Sequence, residues 1–163
     1  MDAPGTRTVY IDGYNILLRH APWRGLPLHA GRDRLRAFLE GLRWPVPVGR
    51  IVLVFDGRDA ADGPPRRAGK VEIQFAPSAD AALQEALRTH PHPDRLLIVT
   101  DDREILRTAR SHGAHCHASQ WLLALGRRRT PASGAGDARP DLPAGEARRI
   151  TDELAKRWLK PPG

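Results

Sequence analysis

The sequence predicts an α/β domain whose mainly parallel sheet has about five strands, and two observations support this class. Short apolar segments without polar alternation, such as residues 51–55 and 96–99, are typical of parallel strands that are covered on both faces. Segments with helical spacing of apolar residues alternate with these strands. Because a strand, a helix and the next parallel strand form a right-handed crossover, this alternation predicts a mainly parallel sheet.

Five segments are predicted to be strands. The first, residues 8–11, is short and rich in β-branched residues, and the second, residues 51–55, is apolar throughout. In residues 71–75 apolar and polar side chains alternate, which indicates a strand with one face partly in water, as at a sheet edge. Residues 96–99 form a further buried strand, and residues 114–118 form the last.

Four helices are expected between and after these strands. Leucines recur at helical spacing in residues 32–42, which indicates an amphipathic helix. A serine directly before residues 79–88 can cap a second helix. A third helix follows the fourth strand and ends near residue 111, and Ser119 is placed to cap a short helix through residue 125.

The composition changes after the last of these helices. Residues 126–143 have almost no large apolar side chains and are rich in Gly, Pro and Arg, which indicates a flexible linker. In residues 144–163 apolar residues recur at every fourth position, as in an amphipathic helix. The expected organisation is therefore a domain over residues 1–125, a linker, and a C-terminal helix or tail.

The charge balance favours a polyanionic partner. The chain has 26 Lys and Arg against 19 Asp and Glu, a formal net charge of +7, so nucleic acid is the first candidate and an acidic membrane surface the second. The excess of arginine over lysine is also compatible with solubility alone. With one cysteine, no signal segment and no apolar stretch long enough to cross a bilayer, a cytoplasmic protein is expected.

Acidic residues follow three of the predicted strands. Asp12 comes after the first strand, Asp56 after the second, and Asp101 with Asp102 after the fourth, while Asp80 lies in the first turn of a helix. Each acid by itself fits a turn or a helix cap. Because the carboxyl ends of parallel strands meet at one edge of a sheet, these acids are expected to converge. Crowded carboxylates repel each other, and a divalent cation offsets that repulsion while it binds phosphate and water.

Other chemistries are less well supported by the residues. The histidines are scattered, and the pair His115 and His117 lacks the third partner that a zinc site needs. A doubly wound nucleotide-binding or phosphotransfer domain fits the strand pattern. However, no glycine-rich phosphate loop follows the first strand, and Tyr14 stands where a phosphatase of the DxD type needs its second acid.

A series of short motifs resembles a known family. Residues 10–17, Tyr-Ile-Asp-Gly-Tyr-Asn-Ile-Leu, are similar to the opening motif of NYN-domain ribonucleases, in particular their YacP-like branch. The later landmarks follow in the same order, namely Val54-Phe55-Asp56-Gly57, Ser78-Ala79-Asp80, Val99-Thr100-Asp101-Asp102-Arg103-Glu104, Gly113-Ala114 and a final helix that starts at Ser119. The resemblance extends over residues 7–125.

The resemblance implies a PIN-like three-layer α/β/α fold and an endoribonuclease that uses Mg²⁺ or Mn²⁺. Asp12, Asp80 and Asp102 match the family's metal-binding acids, and Glu104 falls where many relatives have a further acid. Asn15 matches the polar residue that supports the first ligand or the scissile phosphate. The catalytic set expected from the resemblance is therefore Asp12, Asn15, Asp80 and Asp102.

Two departures from the family pattern affect these expectations. Ala81 stands where relatives often have a second acid, and this motivates an alternative function as a non-catalytic RNA-binding module. Asp101 replaces a small residue, so it either supplements the metal site or caps the following helix. Asp56 and Asp101 are expected to support the ligands rather than to bind the ion themselves.

Basic residues near the strand ends are expected to bind RNA, because a nuclease must hold a polyanion against an acidic centre. The expected RNA contacts are Arg19, Arg58, Arg67, Lys70 and Arg103. The expected substrate is single-stranded RNA, with the ribosome or other RNA-processing proteins as possible partners. The sequence leaves the oligomeric state open.

Overall fold

The structure, a computed structural model, describes residues 4–57 and 66–128, without the side chains of residues 66–68. Its strands are β1 (Arg7–Asp12), β2 (Val48–Asp56), β3 (Arg66–Ala68), β4 (Val71–Ala76), β5 (Leu96–Val99) and β6 (His115–His117). Its α-helices are α1 (Gly13–Arg19), α2 (Leu28–Glu40), α3 (Ala79–Thr89), α4 (Arg103–Ser111) and α5 (Ser119–Arg127). The predicted C-terminal helix and all but the first three residues of the predicted linker lie outside the described residues.

The strands form one sheet in the order β3-β4-β2-β1-β5-β6. Every pairing is parallel except that of β3 with β4. The predicted mainly parallel α/β sheet is therefore confirmed, and β1 lies at its centre. β3 was not predicted, because it is short and follows a proline pair that indicates a loop. It covers only the first half of β4, whose last residues have no further strand beside them in the described part of the chain.

Alternate strand residues face two separate helical layers, which confirms the three-layer α/β/α arrangement. Ile51 and Leu53 of β2 belong to a core with α1, α2 and α5, whereas Val52 and Val54 pack with α3 and α4. The two layers explain why these strands lack polar alternation, since both faces of the sheet are buried. In the described part of the chain, no helix has the length and hydropathy that crossing a bilayer requires.

The helices differ from the prediction at several ends. α1 was missed because the pair Asp12-Gly13 was interpreted as a turn, whereas Asp12 is the N-cap of this helix. α2 begins at Leu28, four residues earlier than predicted. α5 continues through Arg127, two residues beyond its predicted end at residue 125. Ser119 is the first residue of α5 rather than its cap.

Gly13 lies against the ring of Phe55 at the junction of β1 and α1. A Cβ atom on Gly13 would come within 2.2 Å of this buried ring. Phe55 is the penultimate residue of β2. Tyr14 packs edge-on against the same ring, with the centroids 5.2 Å apart. The glycine therefore allows the start of α1 to approach the end of β2, next to the edge where the parallel strands β1 and β2 end in Asp12 and Asp56.

The first prediction concerns this close approach. Replacing Gly13 by alanine is expected to lower the free energy of unfolding by about 1–3 kcal/mol, because a fixed aromatic ring must move to admit the methyl group. The matched control is Gly31→Ala within α2, whose Cβ meets only the flexible end of Leu17, at 3.2 Å. That control is expected to be neutral or to gain up to about 1 kcal/mol from helix propensity. Urea unfolding measures both, and equal losses in the two variants would contradict the explanation.

Candidate active site

The predicted acids meet at the carboxyl edge of the parallel strands. Asp12 ends β1, Asp56 ends β2, and Asp101 with Asp102 joins β5 to α4, while Asp80 lies in the first turn of α3. The charges of Asp56, Asp80 and Asp101 act on Asp12, and those of Asp56, Asp102 and Glu104 act on Asp80. The structure therefore brings together a carboxylate cluster, defined here as Asp12, Asp56, Asp80, Asp101, Asp102 and Glu104.

Asp12 is the last residue of the central strand β1 and is the most deeply buried member of the cluster. Only 6% of the residue is exposed. The pKa of Asp12 is raised to about 6: burial is the largest cause, the hydrogen bond from the Asn15 N–H acts in the opposite direction, and the charges of the neighbouring carboxylates add to the rise. Ionisation of this buried carboxyl group costs free energy, and a cation bound nearby would stabilise the ionised form.

Asn15 holds Asp12 and connects it to the next strand. Its side-chain Nδ2 donates to Asp12 Oδ2 at 3.0 Å and to Thr100 Oγ1 at 3.2 Å. Thr100 is fully buried, and its Oγ1 also accepts from the Asp102 N–H at 3.2 Å. These hydrogen bonds support the expectation that Asn15 orients the first acid. Thr100 is not among the predicted site residues, although a polar residue directly after a buried strand is a signal that could have indicated it.

Asp80 has a different setting from Asp12, because its carboxylate is exposed. Burial is still the largest cause that raises the pKa of Asp80, followed by the charges of Asp102, Asp56 and Glu104. Asp56 Oδ1 accepts a hydrogen bond from the Ala79 N–H at the start of α3. Asp56 therefore holds the helix that presents Asp80, which agrees with the supporting role expected for it.

Asp102 caps α4 with one oxygen. Its Oδ1 accepts from the backbone N–H groups of Glu104 at 2.8 Å and Ile105 at 3.2 Å. In the described part of the chain its Oδ2 accepts no hydrogen bond, which leaves this oxygen for a cation. Glu104 is exposed on the first turn of α4, at the margin of the cluster.

Asp101 is placed differently, because both of its oxygens have donors. The backbone N–H of Ser119 donates to Oδ1 at 3.0 Å, and the Ser119 hydroxyl donates to Oδ2 at 2.5 Å. The Nε atom of Arg19 lies 3.2 Å from the same Oδ2. Of the two roles considered for Asp101, capping applies to α5 rather than to α4.

The oxygen donors of the cluster fit a hard divalent cation such as Mg²⁺ in their chemistry. In residues 4–57 and 66–128, however, no three His, Cys, Asp or Glu side chains lie close enough to hold one ion together, and this includes His115 and His117. Mg²⁺ usually takes only one or two carboxylates and completes its shell with waters and substrate phosphate. The cluster therefore fits such an ion in charge and donor type, without a complete set of protein ligands.

The basic residues expected to bind RNA do not all lie at the carboxyl ends of the parallel strands. Arg19 and Arg103 lie at the edge of the carboxylate cluster. Lys70 lies at the start of β4, at the opposite edge, so the length of a strand separates it from the acids. Arg58 and the side chain of Arg67 lie outside the described residues.

The second prediction is a pH dependence of stability in metal-free buffer. Because the pKa of Asp12 is about 6 in the folded chain and about 3.9 when unfolded, the folded state binds more protons between these values. Its stability therefore falls as the pH rises from 4 to 6, by up to about 3 kcal/mol, and stays low above that. Asp12→Asn keeps the cap without the charge, so it is expected to be more stable than the wild type at pH 7.5.

The gain from Asp12→Asn is expected to disappear by about pH 4, where the wild-type carboxyl is protonated. Chemical unfolding with EDTA present, repeated across the pH range, measures it. Asp33→Asn, which changes an exposed acid on α2, is the matched control. A loss of stability in Asp12→Asn at pH 7.5 equal to its loss at pH 4 would argue against the assigned pKa.

Comparisons with known proteins agree with this architecture. Two crystal structures of Rae1 (YacP) from Bacillus subtilis have a similar fold, each with a TM-score of 0.55. A point mutant is 19% identical and covers 94% of this chain and 91% of its own, and the second structure is 17% identical and covers 93% and 86%. None of the curated proteins compared with this chain matches it. The profile of the YacP-like NYN domain matches residues 9–133, and because this is well over half of the chain, the protein belongs to the YacP-like NYN domain family.

Proposed function

We propose that this chain is a divalent-metal-dependent endoribonuclease whose active site is the carboxylate cluster. The observation that supports this most directly is the burial of Asp12 among other acids, which raises its pKa to about 6. Such crowding costs stability unless a cation is bound nearby. The family is nuclease-like and RNA-related, and the net charge of +7 suits a polyanionic substrate.

In this proposal one or two of the carboxylates of Asp12, Asp80 and Asp102 would bind Mg²⁺ or Mn²⁺ at a time, with Glu104 as a further acid at the margin and with water and RNA phosphate as the other ligands. A bound ion supplies charge that stabilises the phosphate undergoing attack and lowers the pKa of an attacking water. Asp12 must be ionised to take part, and Asn15 fixes the orientation of its carboxylate through the bonds to Oδ1 and Oδ2.

Thr100 connects the parts of the proposed site that contain Asp12 and Asp102. Its Oγ1 accepts from Asn15, which orients Asp12, and from the backbone of Asp102. One buried hydroxyl oxygen therefore connects the residue that orients Asp12 with the backbone of Asp102. Pre-organisation of this kind lowers the barrier because the groups do not have to reorient during the reaction.

The RNA backbone has to approach a negatively charged cluster, so cations at its margin are needed. We assign this role to Arg19, which pairs with Asp101, and to Arg103, which follows Asp102 in the chain; both are exposed. RNA contacts of Arg58, Arg67 and Lys70 stay predictions, and a contact of Lys70 would lie away from the cluster, since Lys70 precedes β4. Single-stranded RNA as substrate, a ribosomal or other RNA-processing partner, and the cytoplasmic location also stay predictions.

A second candidate function is RNA binding without cleavage. Ala81 lies directly after Asp80 in α3, where relatives often have another acid, and the described residues do not form a three-ligand group. Both observations are compatible with a weakened metal site. Steep salt dependence of RNA binding, with no product formed in Mn²⁺, would favour this candidate.

The third prediction tests the metal-dependent activity. Asp80→Asn is expected to reduce cleavage of a fluorescently labelled single-stranded RNA in Mn²⁺ by about a hundredfold or more, because an exposed ligand is lost without a change in packing. Asp33→Asn should cleave like the wild type. EDTA should abolish cleavage by the wild type and by Asp33→Asn.

A readout that does not depend on catalysis accompanies this test. Mn²⁺ is expected to raise the melting temperature of the wild type and of Asp33→Asn, and to do so much less in Asp80→Asn. Cleavage that persists in excess EDTA, or that is unaffected by Asp80→Asn, would contradict the proposed site.

A further inference from the structure

Asp101 joins three elements through one carboxylate. It lies between β5 and α4, its bonds with Ser119 reach the N-terminus of α5, and its ion pair with Arg19 reaches the last residue of α1. Because each oxygen accepts a hydrogen bond from Ser119 and one of them also pairs with Arg19, Asp101 is less available to a metal ion than Asp80 or Asp102. Its contacts point instead to the orientation of Arg19.

The ion pair is asymmetric in its exposure. The Asp101 side chain is 17% exposed, whereas that of Arg19 is 67% exposed. The two bonds from Ser119 fix the position of the carboxylate, so the flexible partner is the arginine. An exposed pair contributes little to stability because solvent screens it and side-chain entropy opposes it. This geometry therefore has more effect on where the guanidinium lies than on the stability of the fold.

The guanidinium retains donors after it pairs with Asp101. The closest atom of the ion pair with Asp101 is Nε, and in the described part of the chain neither Nη of Arg19 has a hydrogen-bond acceptor. The Nη groups carry four N–H bonds in a planar arrangement that matches a phosphate. They lie beside the cluster, since Asp101 is close enough to Asp12 for its charge to raise the pKa of Asp12.

We infer that Asp101 is a positioning residue that holds the Arg19 guanidinium at the margin of the carboxylate cluster, where it binds a phosphate of the RNA. This inference rests on the proposed function and adds a role for an acid that differs from the family pattern. A small residue at position 101 reaches neither Ser119 nor Arg19. Asp101 thus acts through Arg19 and makes no contact with the ion.

The test measures RNA affinity in EDTA and steady-state cleavage in Mn²⁺ for Arg19→Ala, Asp101→Asn and the double variant. In each single variant the Kd and the KM are both expected to rise by about tenfold, because one charge-assisted phosphate contact is lost. kcat should change by less than about twofold, because binding is lost equally in the ground and transition states. The double variant should bind no more weakly than Arg19→Ala, since the two residues act as a unit.

Conservative variants separate positioning from simple support of the fold. Arg19→Lys keeps the charge but lacks the planar fork, so it should recover only part of the affinity. In NMR spectra, the Arg19 Nε–H signal should be distinct and protected in the wild type and should lose its protection in Asp101→Asn. The matched control is Arg88→Ala on α3, an exposed arginine (68%) that also pairs with an acid, Glu85, and lies at the far end of α3 from Asp80.

Several outcomes would overturn the inference. It fails if Asp101→Asn lowers the melting temperature and leaves Kd and KM unchanged, because Asp101 then only caps α5. It fails also if Arg19→Ala binds RNA like the wild type or if Arg88→Ala loses as much affinity. RNA binding that depends on both residues, without cleavage in Mn²⁺, would support the inference and contradict the endoribonuclease. A wild type that neither binds nor cleaves RNA would overturn both.

Discussion

The burial of the Asp12 carboxyl group beside other carboxylates, at the carboxyl ends of the parallel strands, is the constraint on which the rest of the structure depends. Asp12 is buried at the end of the central strand, and the charges of Asp56, Asp80 and Asp101 act on it. A pKa of about 6 means that this arrangement costs free energy at neutral pH. A fold that retains such a cost at one point has the electrostatic character of a functional site.

Helix starts partly offset that cost. Asp12, Asp102 and Asp56 each accept hydrogen bonds from backbone N–H groups at the starts of α1, α4 and α3, and Asp101 does the same for α5. These N–H groups have no acceptor within their own helices, so each acid supplies one. In return, the partial positive charge at the helix start stabilises the negative charge of the acid. The same side chains therefore serve the fold and the cluster, and a substitution at any of them affects both.

The acids of the cluster have different surroundings, which separates their roles. Asp12 is oriented by Asn15, Asp80 projects into solvent, and Asp102 keeps one oxygen without a hydrogen bond in the described part of the chain. Asp101 is fully engaged with Ser119 and Arg19. The negative centre is thus bordered by the exposed guanidinium of Arg19, within a chain whose net charge is +7, and both features reduce the repulsion that the proposed RNA substrate would meet.

The sequence by itself determined the alternation of strands and helices, the parallel sheet and the membership of the acid cluster. Apolar runs buried on both faces have a distinctive pattern, and strand ends always meet at an edge. The order of the motifs also indicated the family, which the profile match confirmed. The short helix after Asp12 was not predicted, because an Asp-Gly pair fits a turn as well as a helix start.

Only the tertiary structure decided which partner each side chain has. The close approach of Gly13 to Phe55, the link from Thr100 to Asn15, and the pairing of Asp101 with Arg19 all join residues that are far apart in the chain. No local pattern encodes such contacts, since they depend on strand order and helix packing. The sequence placed Lys70 among the RNA contacts, and the direction of β4 puts it at the opposite edge from the acids. Local periodicity specifies the elements, whereas the distances between them arise only when the whole sheet is assembled.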